Sequence, residues 1–221
     1  MDMNNNQIRV KGIGRVLRTP DTIVIRMTLR ARGGDYSAAV KLGYEQLKCL
    51  RQAVTIVGFG KDELKTKCFD IDTEYTDRRK NDGEYERMFK GYAVTHKVEL
   101  RFPMNLKKLD KLLESIVEWV VNPDLVISFT VDDVDSIKKE ILESATKDAL
   151  EKATILCNAA GKKLGELIRI DYGWDEVRIG SFDDINIECA PGAYEDIASD
   201  YDFEPDDIKA SDTVEFVWRI E

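Results

Sequence analysis

Few residues of this chain have the types and spacing that chemistry requires. Its one histidine, His96, would have to serve any Ser-His-Asp or Cys-His nucleophile system. The alternation around it places His96 in a strand, between Val94 and Val98 on an apolar face, where we expect a hydrogen-bonded structural imidazole. The four cysteines are far apart and include no Cys-x-x-Cys pair, so we expect neither a zinc nor an iron–sulfur site. The sequence therefore predicts no catalytic, cofactor-binding or metal-binding residue.

Acidic side chains offer a second possible chemistry. The run Asp200-x-Asp202-x-Glu204 resembles the first half of a calcium-binding loop. Its sixth and twelfth positions hold proline and serine, where that loop needs glycine and a bidentate glutamate. This excludes an EF-hand, and an irregular calcium site built from several oxygens stays open. Paired carboxylates such as Asp70 with Asp72 are expected on exposed strand faces or at helix caps.

A third motif, Gly12-x-Gly14, invites comparison with phosphate-binding loops. It is followed by more strand, and it lacks a third glycine and a Lys-Ser/Thr pair. We therefore expect the two glycines to permit close packing over the strand.

Hydrophobic periodicity predicts the elements that position these residues. Period-two alternation predicts strands over 7–18, 22–32, 85–102 and 213–221, and further strands are predicted over 64–76, over the short apolar run 125–131 and over 167–172. Helical spacing predicts one helix capped by Asp35, a second after Pro103, and a third that is capped by Asp133 or Asp135 and carries a stripe of alanines.

Hairpins dominate this order of elements. Turns at Pro20-Asp21 and at 80–83 would join the first two strands and the next two. The predicted class is therefore α+β, with a mainly antiparallel sheet from long hairpins packed with three amphipathic helices. We expect a single domain over residues 1–221, built as one lobe or two, with an irregular acidic segment over 181–210.

The distribution of charge suggests an interaction surface. Basic side chains share faces of the first two strands, at Arg9, Lys11 and Arg15 and at Arg26, Arg30 and Arg32. The segment 181–208 contains no Lys or Arg, and we assign Asp200, Asp202 and Glu204 to the acidic side of the same possible surface. One interpretation is a solvated sheet face that Glu99 or Glu215 partly neutralises. The other is that the basic face meets the acidic segment, within the chain or across a subunit contact.

The order of motifs resembles the SIMPL family. The marks are the opening Ile8-x-Val10-x-Gly12-x-Gly14, Gly91-Tyr92, Ala149-x-x-Lys152-Ala153 leading to Gly161-Lys162-Lys163-Leu164-Gly165, and Trp218 in the final strand. This resemblance covers nearly the whole chain and implies an α+β fold and a tendency to self-assemble. It implies no enzymatic activity, because the family is of unknown function and has no agreed catalytic residues.

Composition bounds the partners and the compartment. The net charge of −9 disfavours a nucleic-acid partner, and no apolar stretch approaches the roughly 20 residues of a membrane span. Residues 1–6 form neither a basic nor an apolar region of a secretory signal, so we expect a cytoplasmic protein. Many members of the family look exported, which is at odds with that expectation.

The sequence therefore predicts a non-catalytic, self-associating scaffold or binding protein without a cofactor. We expect a homo-oligomer, with the last strand and the first hairpin as edges for subunit pairing and with room for an unknown protein partner. The alternative is an enzyme with an irregular carboxylate or metal-dependent site in 181–210, which would require a concave pocket there.

Overall fold

The computed structural model describes residues 6–79, 85–120, 123–173, 185–188 and 203–221. Within these ranges the helices are Tyr36–Ile56 (α1), Leu106–Trp119 (α2) and Val134–Ala159 (α3). The strands are Gln7–Arg18 (β1), Thr22–Gly33 (β2), Leu64–Arg79 (β3), Tyr85–Pro103 (β4), Asp124–Thr130 (β5), Leu164–Asp171 (β6), Ile185–Glu188 (β7) and Ile208–Ile220 (β8). The predicted α+β class is confirmed.

The described strands form two sheets, with the orders β1-β8-β6 and β3-β4-β2-β5-β7. The long β3–β4 hairpin is antiparallel, as predicted. The predicted β1–β2 hairpin is wrong, because β1 pairs with β8 and β2 pairs with β4. Pro20 and Asp21 do separate the two strands, but the chain passes there from one sheet to the other.

Contacts divide the chain into two compact units. One comprises Met1–Asp21, Thr130–Ser181 and Pro205–Glu221, and the other comprises Thr22–Phe129 and Phe182–Glu204. We call them the α3 unit and the α1–α2 unit. A single domain over 1–221 stays a prediction.

The α1–α2 unit has the larger core. Alternate residues of β2, including Ile25 and Met27, are fully buried against α1 and α2, which contribute Leu50 and Leu112 to the same cluster. Asp35 caps α1 as predicted, since its carboxylate accepts the amide N–H of Ala38 at 2.9 Å. This packing fixes which faces of α1 and of the sheet remain open to solvent.

The α3 unit depends on an unusually close approach of helix and strand. Ala145, Ala149 and Ala153 are fully buried on α3. A Cβ at Gly12 would overlap the carbonyl oxygen of Ala145, and a Cβ at Gly14 would overlap that of Ile141. Small residues on both sides therefore let the backbones of α3 and β1 come together, and this is the packing role predicted for the two glycines.

The edge of β1 that faces away from β8 is covered by polar side chains of α3. The amide N–H of Ile13 donates to Oδ2 of Asp148 at 2.7 Å, and Nζ of Lys152 lies 3.4 Å from the carbonyl oxygen of Lys11. Lys152 also donates to Asp148 at 2.6 Å. The hydrogen bonds from Lys152 and Ile13 lower the pKa of the Asp148 carboxyl. Backbone groups that another strand could pair with are therefore occupied.

Only part of the acidic segment 181–210 lies within the described residues. It contains β7, Ile185–Glu188, and the first residues of β8 from Ile208 onward. Ile208 and Ala210 are buried and alternate with exposed neighbours, so β8 begins five residues before the predicted start. The turn predicted at 80–83 lies outside the described residues.

Candidate interaction surface

Two of the three basic residues named on β1, Arg9 and Lys11, lie beside a carboxylate of β8. Nε of Arg9 is 3.3 Å from Oε1 of Glu215, and the antiparallel register places Lys11 directly opposite that glutamate. Arg15 lies further along the same strand, opposite Ser211. All three basic side chains are exposed.

The basic residues of β2 each lie within ion-pair distance of an acidic residue on the same sheet. Arg26 lies 3.4 Å from Glu99 and Arg32 lies 2.8 Å from Glu74. Arg30 lies 3.0 Å from Asp124. These exposed pairs contribute little stability, about 0–1 kcal/mol each. They do neutralise much of the basic face through cross-strand pairing.

The two basic sets do not form one continuous hairpin face, because β1 and β2 belong to different sheets. Glu99 and Glu215 are the neutralising carboxylates that the sequence suggested. On the acidic side of the surface, Asp200 and Asp202 lie outside the described residues, and Glu204 is exposed. A contact between the basic face and the acidic segment stays a prediction.

His96 lies in the α1–α2 unit at the border of the core. Its side chain is buried, its Nε2 is 3.0 Å from Oγ1 of Thr66, and its ring meets Phe69 edge-on at 5.3 Å between centroids. Burial, followed by the positive charge of Arg51, lowers the pKa of His96. The imidazole is therefore harder to protonate than a free one, and it is hydrogen-bonded, as expected of a structural histidine.

Two further properties hold for the described part of the chain. In it, no group of three or more His, Cys, Asp or Glu side chains is arranged to hold a metal ion. No helix there has the length and apolarity that crossing a membrane requires.

The far end of the β3–β4 hairpin is a surface that the charge pattern did not reveal. We call residues 75–78 and 85–90 the distal arm; every one of them is exposed. Tyr75, Tyr85 and Phe89 are 46%, 71% and 50% exposed. The register places Tyr75 opposite Phe89, so the three rings lie on one face.

The arm begins where the sheet narrows to two strands. β2 ends at Gly33, which pairs with Tyr92, whereas β3 and β4 continue together past this point. Gly91 has a φ of +148°, and a Cβ there would overlap the carbonyl oxygen of Gly33. A register shift between Glu74 and Tyr75 follows at once. In the sequence, the only sign of this surface is the cluster of aromatic residues between 75 and 89. Their exposure could not be read from it, because it depends on where β2 ends.

Comparison with known proteins gives one family and two relatives. A family model described as "SIMPL: Protein of unknown function (DUF541)" matches residues 8–218. A "26 kDa periplasmic immunogenic protein" of Brucella abortus (strain S19) is 24% identical over 164 residues, which are 74% of this chain and 65% of that protein. The protein with the same description from Brucella melitensis biotype 1 is 23% identical over the same shares. The chain thus spans about 65% of the length of these relatives.

The relatives correct the predicted compartment. Both are described as periplasmic, so the prediction of a cytoplasmic location is wrong. That prediction rested on the first six residues. A signal peptide is removed from a mature protein and takes no part in its fold, so the residues that build the fold do not record the compartment.

Proposed function

The chain belongs to the SIMPL family of unknown function, and from that premise we propose that it is a non-catalytic, self-associating scaffold or binding protein. The aromatic face of the distal arm is the observation that carries this proposal. The occupant we propose for that face is a second copy of this chain.

Within the described residues, the arm is a two-stranded ribbon with contacts between its own strands, such as the rings of Tyr75 and Phe89 at 5.9 Å between centroids. A two-stranded ribbon without a third strand or a covering helix is marginally stable in water. Here the ribbon exposes Tyr75, Tyr85 and Phe89 on one face, and Met88, 41% exposed, on the other. Tyrosine and phenylalanine are enriched at the cores of protein interfaces, and so this face has the composition of an interface.

The other edges proposed from sequence are less suitable. β8 is the middle strand of its sheet, with β1 and β6 on either side, so it has no free edge. The outer edge of β1 is occupied around Ile13 by Asp148 and Lys152. β3 is an edge strand of the second sheet, and it carries half of the arm. These features favour pairing through the arm.

The names of the relatives support an exported place of action for such an assembly. The competing hypothesis, a carboxylate or metal-dependent enzyme site in 181–210, concerns residues that lie mostly outside the described ranges. No described observation favours that hypothesis.

The test is the solution mass of the full chain by light scattering over a range of concentrations. We expect a mass above the 25.2 kDa of one chain, which falls when Tyr75 and Phe89 are both replaced by serine. Tyr44→Ser is the matched control, because Tyr44 is 65% exposed and belongs to α1, outside the arm residues. A wild-type mass of one chain at every concentration would refute self-association. An oligomer that survives the double substitution would refute the arm as its contact.

A further inference from the structure

A groove in the α1–α2 unit joins the second half of α1 to the end of α2. Its volume is about 510 Å³. Lys48, Arg51 and Thr55 recur at three- and four-residue steps along α1, and Ile56 follows them in the lining of the groove. Lys61 comes from the segment between α1 and β3, and Trp119 is the last residue of α2. Sites for small molecules have volumes of about 300–1,000 Å³, so the groove is of suitable size.

The groove collects positive charge. Among the described residues, no carboxylate lies within ion-pair distance of Lys48, Arg51 or Lys61. The arginines of β2 show the opposite arrangement, since each has an acidic neighbour. Three neighbouring cations repel one another, and an anion bound between them would relieve that repulsion.

The same groove has an apolar wall. Trp119 is 40% exposed and Ile56 is 61% exposed, although both are large apolar side chains. The indole offers a flat surface for stacking and an N–H donor. An apolar wall beside a few charged groups is typical of sites that orient a small ligand.

We propose that this groove binds a small organic anion that carries a flat ring. The charged group of the ligand lies against Lys48, Arg51 and Lys61, and its ring lies against Trp119 and Ile56. This site is separate from the distal arm, and the proposal does not depend on self-association.

His96 supplies an internal reporter for occupancy of the groove. The positive charge of Arg51 contributes to the lowered pKa of His96. An anion paired with Arg51 offsets that charge, and the pKa of His96 then rises. The imidazole also contacts Thr66 and Phe69 of β3, and neither of these side chains is charged at pH 7. Because His96 is the only histidine, its ring gives a single set of NMR signals.

The experiment titrates the full chain with three probes. Calorimetry measures the affinity of each probe, and NMR of the imidazole ring follows the pKa of His96. Phenyl phosphate has both charge and ring, inorganic phosphate has charge alone, and phenol has a ring alone. We expect phenyl phosphate to bind about tenfold more tightly than either of the others, and to raise the pKa of His96.

Variants assign the binding to the groove. Arg51→Gln should weaken phenyl phosphate binding about tenfold, because it removes a charge-assisted hydrogen bond. Trp119→Ala should weaken phenyl phosphate about fivefold and leave inorganic phosphate unchanged. Lys138→Gln on α3 removes one exposed charge elsewhere and should leave every affinity unchanged. Circular dichroism confirms that each variant is folded.

Three results would overturn the proposal. The first is a titration with phenyl phosphate in which neither the calorimetric signal nor the His96 resonance changes. The second is equal affinity for phenyl phosphate and inorganic phosphate, which would mean that the apolar wall takes no part. The third is equal weakening by Lys138→Gln and Arg51→Gln, which would indicate non-specific attraction to a cationic surface.

Discussion

Replacing Gly12 by alanine tests how far the α3 unit depends on the close approach of helix and strand. The added methyl group would meet a backbone carbonyl of α3, which cannot turn aside as a side chain can. The helix must therefore retreat by on the order of 1 Å, and a gap of that size forfeits a quarter to a half of each dispersion contact. Since Ala145, Ala149 and Ala153 pack in this contact, we expect a loss of about 3 kcal/mol, at the upper end of overpacking costs.

Urea unfolding followed by far-UV circular dichroism measures this loss. With an m-value of about 3 kcal/mol/M, the midpoint should fall by about 1 M. Gly34→Ala is the matched control, because an added Cβ there meets nothing within 4 Å, and we expect a small or favourable change. The double variant Gly12→Ala/Gly14→Ala should cost less than the sum of the two, since α3 retreats only once. A Gly12→Ala midpoint equal to that of Gly34→Ala would refute the reasoning.

Two further predictions concern titratable groups. The pKa of His96 is lower in the folded than in the unfolded chain. The contribution of His96 to the free energy of unfolding is therefore complete above the unfolded pKa of about 6.5, and it is lost as the pH falls below that value. We expect the urea midpoint of the wild type to fall as the pH is lowered, and His96→Gln should remove the part of this fall that His96 causes. A variant whose urea midpoint depends on pH just as that of the wild type does would contradict this. The pKa of Asp148 is also lowered. The stability that its carboxylate contributes is therefore present above the ordinary pKa range of an aspartate, and it disappears as the pH falls through the pKa of the folded state. Asp148→Ala should speed hydrogen exchange at the amide of Ile13, whereas Asp148→Asn, which can still accept that hydrogen bond, should restore slow exchange; equal rates in the two variants would count against this role.

Local pattern was sufficient for most of the elements but not for their pairing. The alternation in β4 correctly placed Val94, His96 and Val98 on the buried face. Asp35 was correctly predicted as a cap, and of the two caps predicted for α3, Asp133 and Asp135, the structure uses Asp133. The β1–β2 hairpin was wrong because a turn fixes where a strand ends and does not fix its partner. The true partner of β1 is about 200 residues away, and no local signal records that distance.

The surfaces were predictable only in part. The spacing of Lys48 and Arg51 shows that they lie near each other on a helix, but their approach to Trp119 requires the packing of α1 against α2. The paired carboxylates Glu99 and Glu215 could be named in advance because cross-strand neighbours on a sheet are few. The exposure of Tyr75 and Phe89 could not be predicted in advance, because it depends on where β2 ends.

The position of β8 between β1 and β6 has a consequence for biosynthesis. Of the three strands in that sheet, the middle strand is translated after the other two. Both outer strands are therefore synthesised before the partner that joins them exists. Residues 22–129 can meanwhile bury most of their own core. During this interval the backbone of β1 is protected only where α3 reaches it, and a chaperone that holds extended segments would find its substrate there.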